Sequence, residues 1–153
     1  MNVFENLTAR LDQCGVTYEV MRHEAVFTSE QAAEVRGTSL ASGAKALICK
    51  ADDEFRMFVL PADRKLASKS VRKAADIKKL RFASGEEVLA LTQLKPGSIP
   101  PFGSLFQLPT YCDQGLAEHT HINFNAGDHC ISVSLSFADY VQVESPEMGQ
   151  FAE

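Results

Sequence analysis

The sequence predicts a mixed α/β domain, a mixed sheet with helices packed around it. Three observations carry that prediction. Segments with apolar residues at helical spacing are interspersed with short apolar runs of strand character. They show no regular strand–helix–strand period, which argues for a mixed sheet. The chain has 153 residues without internal repeat, low-complexity tract or linker, so residues 1–153 are read as one domain with one sizeable core.

The elements follow in order. Val3, Phe4, Leu7 and Leu11 recur at helical spacing, and Gly15 offers a stop. Val16 to Met21 alternates as a strand. Thr28-Ser29-Glu30-Gln31 fits a capping box for a short helix ending at Gly37. Lys45 to Lys50 and Phe55 to Leu60 read as a hairpin around Asp52-Asp53. Pro61 leads into a basic segment whose apolar positions Leu66, Val71, Ala74 and Ala75 suit a helix. Leu80 to Ala83 is a short strand. Ser84-Gly85-Glu86-Glu87 is a second capping box, opening a helix to about Leu91. Ser104 to Leu108, His121 to Phe124 and Ile131 to Leu135 read as strands, Phe137 to Tyr140 as one helical turn, and the tail after Pro146 as loose.

The composition narrows the class. At 45% hydrophobic and 23% charged, the chain reads as an ordinary globular protein. Its apolar runs are short, such as Met57–Leu60, against the ~20 residues a membrane helix needs. The N-terminal stretch carries acids and has no signal-peptide pattern. Cys14, Cys49, Cys112 and Cys130 form no C-x-x-C pair, so they are expected to be reduced thiols in a cytoplasmic protein. A net charge of −5 argues against a general nucleic-acid binder, and no DNA or membrane partner is expected. Between Arg64 and Arg81, however, eight basic residues stand against one acid, Asp76. A localised basic patch on an acidic protein suits a partner presenting a few phosphates, and it equally suits a solvated helix face.

Among motifs, G-x-G-x-x-G, the P-loop, H-E-x-x-H and G-x-S-x-G are all missing, so nucleotide hydrolysis, dinucleotide binding and serine-hydrolase chemistry lose their strongest signals. His119, His121 and His129 make a weak metal set, and no metal or cofactor is expected. Glu86 and Glu87 complement a helix N-terminus rather than form an acid–base pair. The most informative stretch is Gly97-Ser98-Ile99-Pro100-Pro101-Phe102-Gly103. Adjacent prolines fix φ and restrict the residues before them, and the glycines permit sharp reversals. The stiff loop leaves N–H groups at Gly97, Ser98, Ile99, Phe102 and Gly103 to point at a carbonyl or carboxylate, unless it is only a surface turn. Lys45, opening an apolar strand, is either a surface charge with a covering stem or a cation at a pocket rim.

Taken together and in order, these features resemble the YbaK/prolyl-tRNA-synthetase-associated editing domains. The resemblance runs from about Leu11 to Val143. It rests on Val16-Thr17-Tyr18-Glu19 followed by His23 and Thr28, and on Lys45-Ala46-Leu47. It continues through Val59-Leu60-Pro61-Ala62-Asp63-Arg64 with Leu66, Phe82-Ala83 and Glu86-Glu87-Val88. It ends with the Gly97–Gly103 loop and Asn123-Phe124-Asn125-Ala126-Gly127. It implies a barrel-like, mostly antiparallel or mixed central sheet surrounded by helices. It implies hydrolysis of wrongly charged aminoacyl-tRNA, here by a free-standing protein acting on tRNAPro that carries a small amino acid among alanine, cysteine, serine and threonine, with alanine or cysteine foremost. The implied partners are the aminoacyl-tRNA acceptor end and a prolyl-tRNA synthetase.

By the same resemblance Lys45 matches the family's functional lysine, and Gly97, Ser98, Ile99 and Pro101 lie in its Gly-x-x-x-Pro loop. Phe102, Gly103, Asn125, Gly127 and His129 would contact the aminoacyl group, while Arg64, Lys69, Arg72 and Lys73 would contact tRNA. The implied mechanism uses main-chain donors to hold a tetrahedral oxyanion, Lys45 to hold a phosphate or orient the ester, and a water or a cysteine substrate's own thiol as the attacking group. Three rival readings stay open: a non-catalytic tRNA- or synthetase-binding module, a metal-dependent hydrolase built on the three histidines, and a hydrolase of free aminoacyl esters.

Overall fold

Two sheets of unequal size share one apolar interior in the computed structural model, which describes residues 1–153. The smaller sheet has the order β1 (Tyr18–Arg22), β7 (Ile131–Ser136), β6 (His121–Asn125), all antiparallel. The larger has the order β4 (Leu80–Phe82), β2 (Ala44–Ala51), β3 (Glu54–Pro61), β5 (Thr110–Asp113), β8 (Glu147–Gly149). Within it β2 pairs antiparallel with β3 and β4, while β5 runs parallel to β3 and β8. Five α-helices pack around the sheets: α1 (Val3–Gln13), α2 (Ser29–Arg36), α3 (Ser68–Ala74), α4 (Gly85–Thr92) and α5 (Phe137–Glu144). No helix is long and apolar enough to cross a membrane.

Strand alternation sorts the larger sheet's side chains into two cores. Ala44, Ile48, Met57 and Val59 face the main core with Leu7 and Leu11 of α1, Phe102, Phe124 and Tyr140. Cys49, Ala51, Phe58 and Leu60 face a smaller cluster closed by Leu66, by Val71 of α3 and by Ile77. Ala74 and Ala75 are exposed, because α3 ends after seven residues and only Val71 turns inward.

The hairpin of β2 and β3 turns at Asp52, whose φ of 54° is the left-handed conformation that aspartate tolerates. Ser84 and Glu87 form the reciprocal capping box that the sequence predicts. At α2 only half of the box forms: Thr28 Oγ1 accepts from the Gln31 N–H, but Gln31 Oε1 accepts from Phe27 N–H, one residue early.

Four expectations are corrected. Ser104 to Leu108 is not a strand; Gly103–Phe106 forms a 3₁₀ turn, and the strand is Thr110–Asp113. The apolar run there has no length or alternation to separate the two forms. The turn is set by Leu105 N–H and Leu108 N–H donating back to Phe102 and Gly103 carbonyls at 3.0 and 2.9 Å. The helix at Phe137 runs to Glu144 rather than one turn, with Tyr140 fully buried beneath it. The tail after Pro146 is pinned, not loose: β8 joins β5, and Asp113 Oδ1 accepts from the N–H groups of Phe151 and Ala152 at 2.8 and 2.9 Å. Finally, the sheets do not close into a barrel. The isolated parallel bridge Gly43–Asn123 joins them, and β4 pairs with β2 only over Cys49–Ala51. Ala83 N–H extends that pairing by donating to the Ile48 carbonyl at 2.9 Å; from Ala44 to Leu47 this edge of β2 is unpaired, and the site lies in that gap.

Candidate active site

The gap holds a cavity of about 360 Å³. Its walls are α2 with the preceding Phe27 and Thr28, residues Gly43 to Ile48 along β2, Phe82 at the end of β4 with Ala83 after it, Pro96, Gly97 and Ile99, and Asn123 to Asn125 of β6. Phe27 and Phe82 are 72% and 58% exposed, so two aromatic rings stand at the mouth. Such sites are usual where two sheets or domains leave a crevice.

Lys45 lines this cavity. It is half-buried, with no ion pair and no hydrogen bond to the protein. Burial lowers its pKa, while Asp63 and Glu30 act in the opposite direction and Lys65 adds to the lowering. A desolvated cation without a fixed partner that lines a cavity is a candidate functional group.

The Gly97–Gly103 loop is held from several sides, and its hydrogen bonds decide which donors are free. Gly97 has φ +92°, a conformation that favours glycine. Its carbonyl accepts from Asn125 Nδ2 at 2.7 Å, and the Ser98 carbonyl accepts from Gly127 N–H at 2.8 Å. The Ser98 N–H and hydroxyl both donate to the Lys95 carbonyl, at 3.3 and 2.8 Å. Phe102 N–H donates to the Pro100 carbonyl at 2.8 Å, and Gly103 N–H to Thr110 Oγ1 at 3.0 Å. Tyr140 Oη donates to the Pro101 carbonyl at 2.7 Å. Of the five N–H groups in the loop, those of Gly97 and Ile99 remain without a partner, and both residues line the cavity.

The expected residues therefore divide. Lys45, Gly97, Ile99 and Asn125 meet at the cavity. Ser98 and Pro101 are buried and serve to brace the loop. Phe102 is not at the cavity: it is fully buried, edge-on to Phe124 and Tyr140 at 5.6 and 5.1 Å. Gly103 is also buried, and a Cβ there would collide with Thr110 Oγ1 and the Leu108 carbonyl. Gly127 packs against Val3 of α1 and reaches the loop through its N–H. His129 sits beside Gly97 with its ring 4.9 Å from that of Phe27, outside the cavity wall. Arg64, Lys69, Arg72 and Lys73 are all exposed on and before α3, and none lines the cavity. No group of three His, Cys, Asp or Glu side chains is placed to hold a metal ion, so the three histidines do not converge.

The structure adds residues that the sequence reading missed. Arg36, at the end of α2, lines the cavity and donates from Nε to Ser132 Oγ at 2.8 Å and from Nη2 to Asn125 Oδ1 at 2.9 Å. Burial pushes its pKa down to about 10. His23 Nδ1 lies 2.8 Å from the Glu24 carbonyl, which can only accept, so Nε2 is left to accept from the Ser132 hydroxyl at 2.8 Å. The Ser132–His23 pair thus holds Arg36 and lies outside the cavity wall. Asn123 lines the cavity; its Nδ2 donates to Ser42 Oγ at 3.1 Å, and its Oδ1 has no partner in the protein. In sequence Arg36 shows only as a basic residue in a helix's last turn, because its partners are 96 and 89 residues away.

The chain is similar to known proteins along nearly its whole length. A family model described as an aminoacyl-tRNA editing domain matches residues 23–143. The chain is similar to the multifunctional Ser/Thr-tRNA deacylase ProXp-y of Escherichia coli K12, at 36% identity over 152 residues, covering 96% of this chain and 91% of that protein. It is 22% identical over 149 residues to the prolyl-tRNA editing protein ProX of Acetoanaerobium sticklandii, covering 94% and 91%. A solved structure provisionally described as a trans-editing enzyme for prolyl tRNA synthetase superposes with a TM-score of 0.88 at 20% identity, covering 100% of this chain and 98% of that one. At that identity the likeness concerns the fold.

Proposed function

The chain belongs to the aminoacyl-tRNA editing domain family, and from that premise we propose that it hydrolyses the ester of a mischarged aminoacyl-tRNA in trans, with serine or threonine as the amino acid removed. The single observation that carries the chemistry is the pair of unpartnered N–H groups at Gly97 and Ile99, two residues that line the same cavity as Lys45. A water adds to the ester carbonyl carbon, and the carbonyl π electrons move onto oxygen. The two N–H groups hold that oxygen in the tetrahedral state more strongly than in the planar ester. Collapse breaks the bond to the ribose oxygen, which takes the proton that the water loses, and the amino acid and tRNA leave. Lys45 holds the phosphate of the terminal nucleotide as a compact cation. The exposed basic residues on and before α3 meet the acceptor-stem backbone, so the reaction weakens as salt rises. A prolyl-tRNA synthetase is the further protein partner that the family relationship supports.

The choice of serine or threonine rests on two supports. One is the relative named as a Ser/Thr-tRNA deacylase. The other is Asn123, a buried residue of the cavity wall whose Oδ1 has no partner in the protein and gives an acceptor for a substrate hydroxyl. A site built to bond a hydroxyl rejects an analogue lacking it by as much as ~10⁴-fold, because the acceptor is then left dry and unpaired. An alanine or cysteine ester, which the sequence alone favours, makes no use of that acceptor. The test is single-turnover hydrolysis of tRNAPro charged with serine, threonine, alanine, cysteine or proline. The expected result is fast loss of the seryl and threonyl esters and sparing of prolyl-tRNA. Preference for the alanyl or cysteinyl ester would return the substrate to the small-residue class without a hydroxyl, and no turnover on any tRNA would leave a binding module.

A further inference from the structure

We infer that Arg36 is an anion-binding group of the cavity, and that its ligand is the oxyanion formed at the ester carbonyl; the inference rests on the deacylase reading above. The guanidinium is a fork of three nitrogens, and the protein engages two of them. Nε and Nη2 are fixed by Ser132 and Asn125. Nη1 has no acceptor in the protein, and it lies 3.9 Å from where a Cβ would stand on Gly43, another residue of the cavity wall. Arg36 is half-buried, and a cation withdrawn from water is ordinarily matched by a carboxylate. Arg36 has no such match. The ion pairs of the molecule are Arg56–Glu54 and Arg81–Glu87, and no aspartate or glutamate lines the cavity. Arg36 therefore brings to the cavity a positive charge that no carboxylate of its wall matches, beside Lys45, whose charge Asp63 and Glu30 favour, and the complement Arg36 lacks is an anion.

Position separates the tasks of the two cations. Asn125 accepts from Arg36 through Oδ1 and donates to the Gly97 carbonyl through Nδ2. The guanidinium is thus tied to the same loop residue whose N–H is free. Lys45 instead shares the field of Asp63 and Lys65, on the segment leading to α3, and of Glu30 in the first turn of α2. Arg36 belongs with the reacting carbonyl and Lys45 with the phosphate outside it. The Ser132–His23 bond holds the fork in place, so that it need not reorganise as charge develops.

The experiment compares two non-hydrolysable analogues of a serylated adenosine end: a planar, neutral amide and a tetrahedral, anionic phosphonate. Wild type is expected to bind the phosphonate more tightly by ~100-fold, as enzymes bind transition-state mimics. Arg36→Gln is expected to abolish that preference while changing the amide affinity less than about threefold, because the planar ester carries no full charge. Arg36→Lys keeps the charge but not the fork, and about a tenth of the preference should survive. Arg36→Gln with the wild-type preference, or an equal weakening of both analogues, would overturn the proposal. If Arg36→Gln does not fold, undiminished preference in Arg36→Lys overturns it instead. Wild type binding neither analogue is a separate outcome, which overturns the deacylase reading itself.

Discussion

Lys45→Ala is expected to lower kcat/KM for aminoacyl-tRNA hydrolysis by ~10²-fold or more, the usual scale for removing one fixed charge-stabilising group from a site. It should do so without lowering the melting temperature. Lys45 makes no bond that the fold would miss, and its burial already disfavours the charged form. Removing a half-buried cation that has no partner relieves a desolvation cost, the usual trade between stability and function. The measurement is single-turnover deacylation beside a thermal melt. Normal deacylation in the variant would remove Lys45 from the mechanism. Lost deacylation together with a large fall in melting temperature would make it a structural residue.

Phe102→Ala is expected to give the largest loss of stability. The sequence reading places this ring against substrate, whereas the structure buries it completely between Phe124 and Tyr140. Emptying such a site costs ~3–5 kcal/mol, the transfer of the ring plus the cavity left behind. For a chain of this size that lowers the melting temperature by roughly 10 °C. Activity should fall as well, since Phe102 follows directly on the proline pair whose carbonyl Tyr140 holds. Phe102→Leu, which refills most of the volume, should recover most of both. An alanine variant that melts with wild type but shows a raised KM would put the ring at the substrate after all.

How much of this was legible in the sequence depends on the range of the interactions. Contacts within a few residues could be read. The Ser84–Glu87 box, the hairpin at Asp52 and the strand with Lys45 near its start all follow from local rules. The strands Ile131–Ser136 and His121–Asn125 follow from alternation. Where the deciding partner is distant, the reading failed. The run Ser104–Leu108 folds as a turn because Gly103 is seated against Thr110. The tail after Pro146 is ordered by Asp113, a buried carboxylate more than thirty residues before it.

The site divides along the same line. Lys45 and the Gly97–Gly103 loop stand out by composition. The number of free donors in that loop, and the guanidinium of Arg36 beside it, depend on Asn125, Ser132 and Thr110, which only the folded chain brings near. The open edge of β2 that makes the cavity belongs to no single segment. It is the space left where β4 leaves β2 and β6 pairs only with Gly43, just before β2 begins.

The central claim is that two main-chain N–H groups, at Gly97 and Ile99, receive the charged oxygen. Amide ¹H–¹⁵N spectra recorded while the phosphonate analogue is added test this most directly. Large downfield proton shifts are expected at Gly97 and Ile99, with little change at Ser98, Phe102 and Gly103, whose N–H groups are already bonded within the protein. Saturable binding that leaves the Gly97 and Ile99 amides unmoved would contradict it.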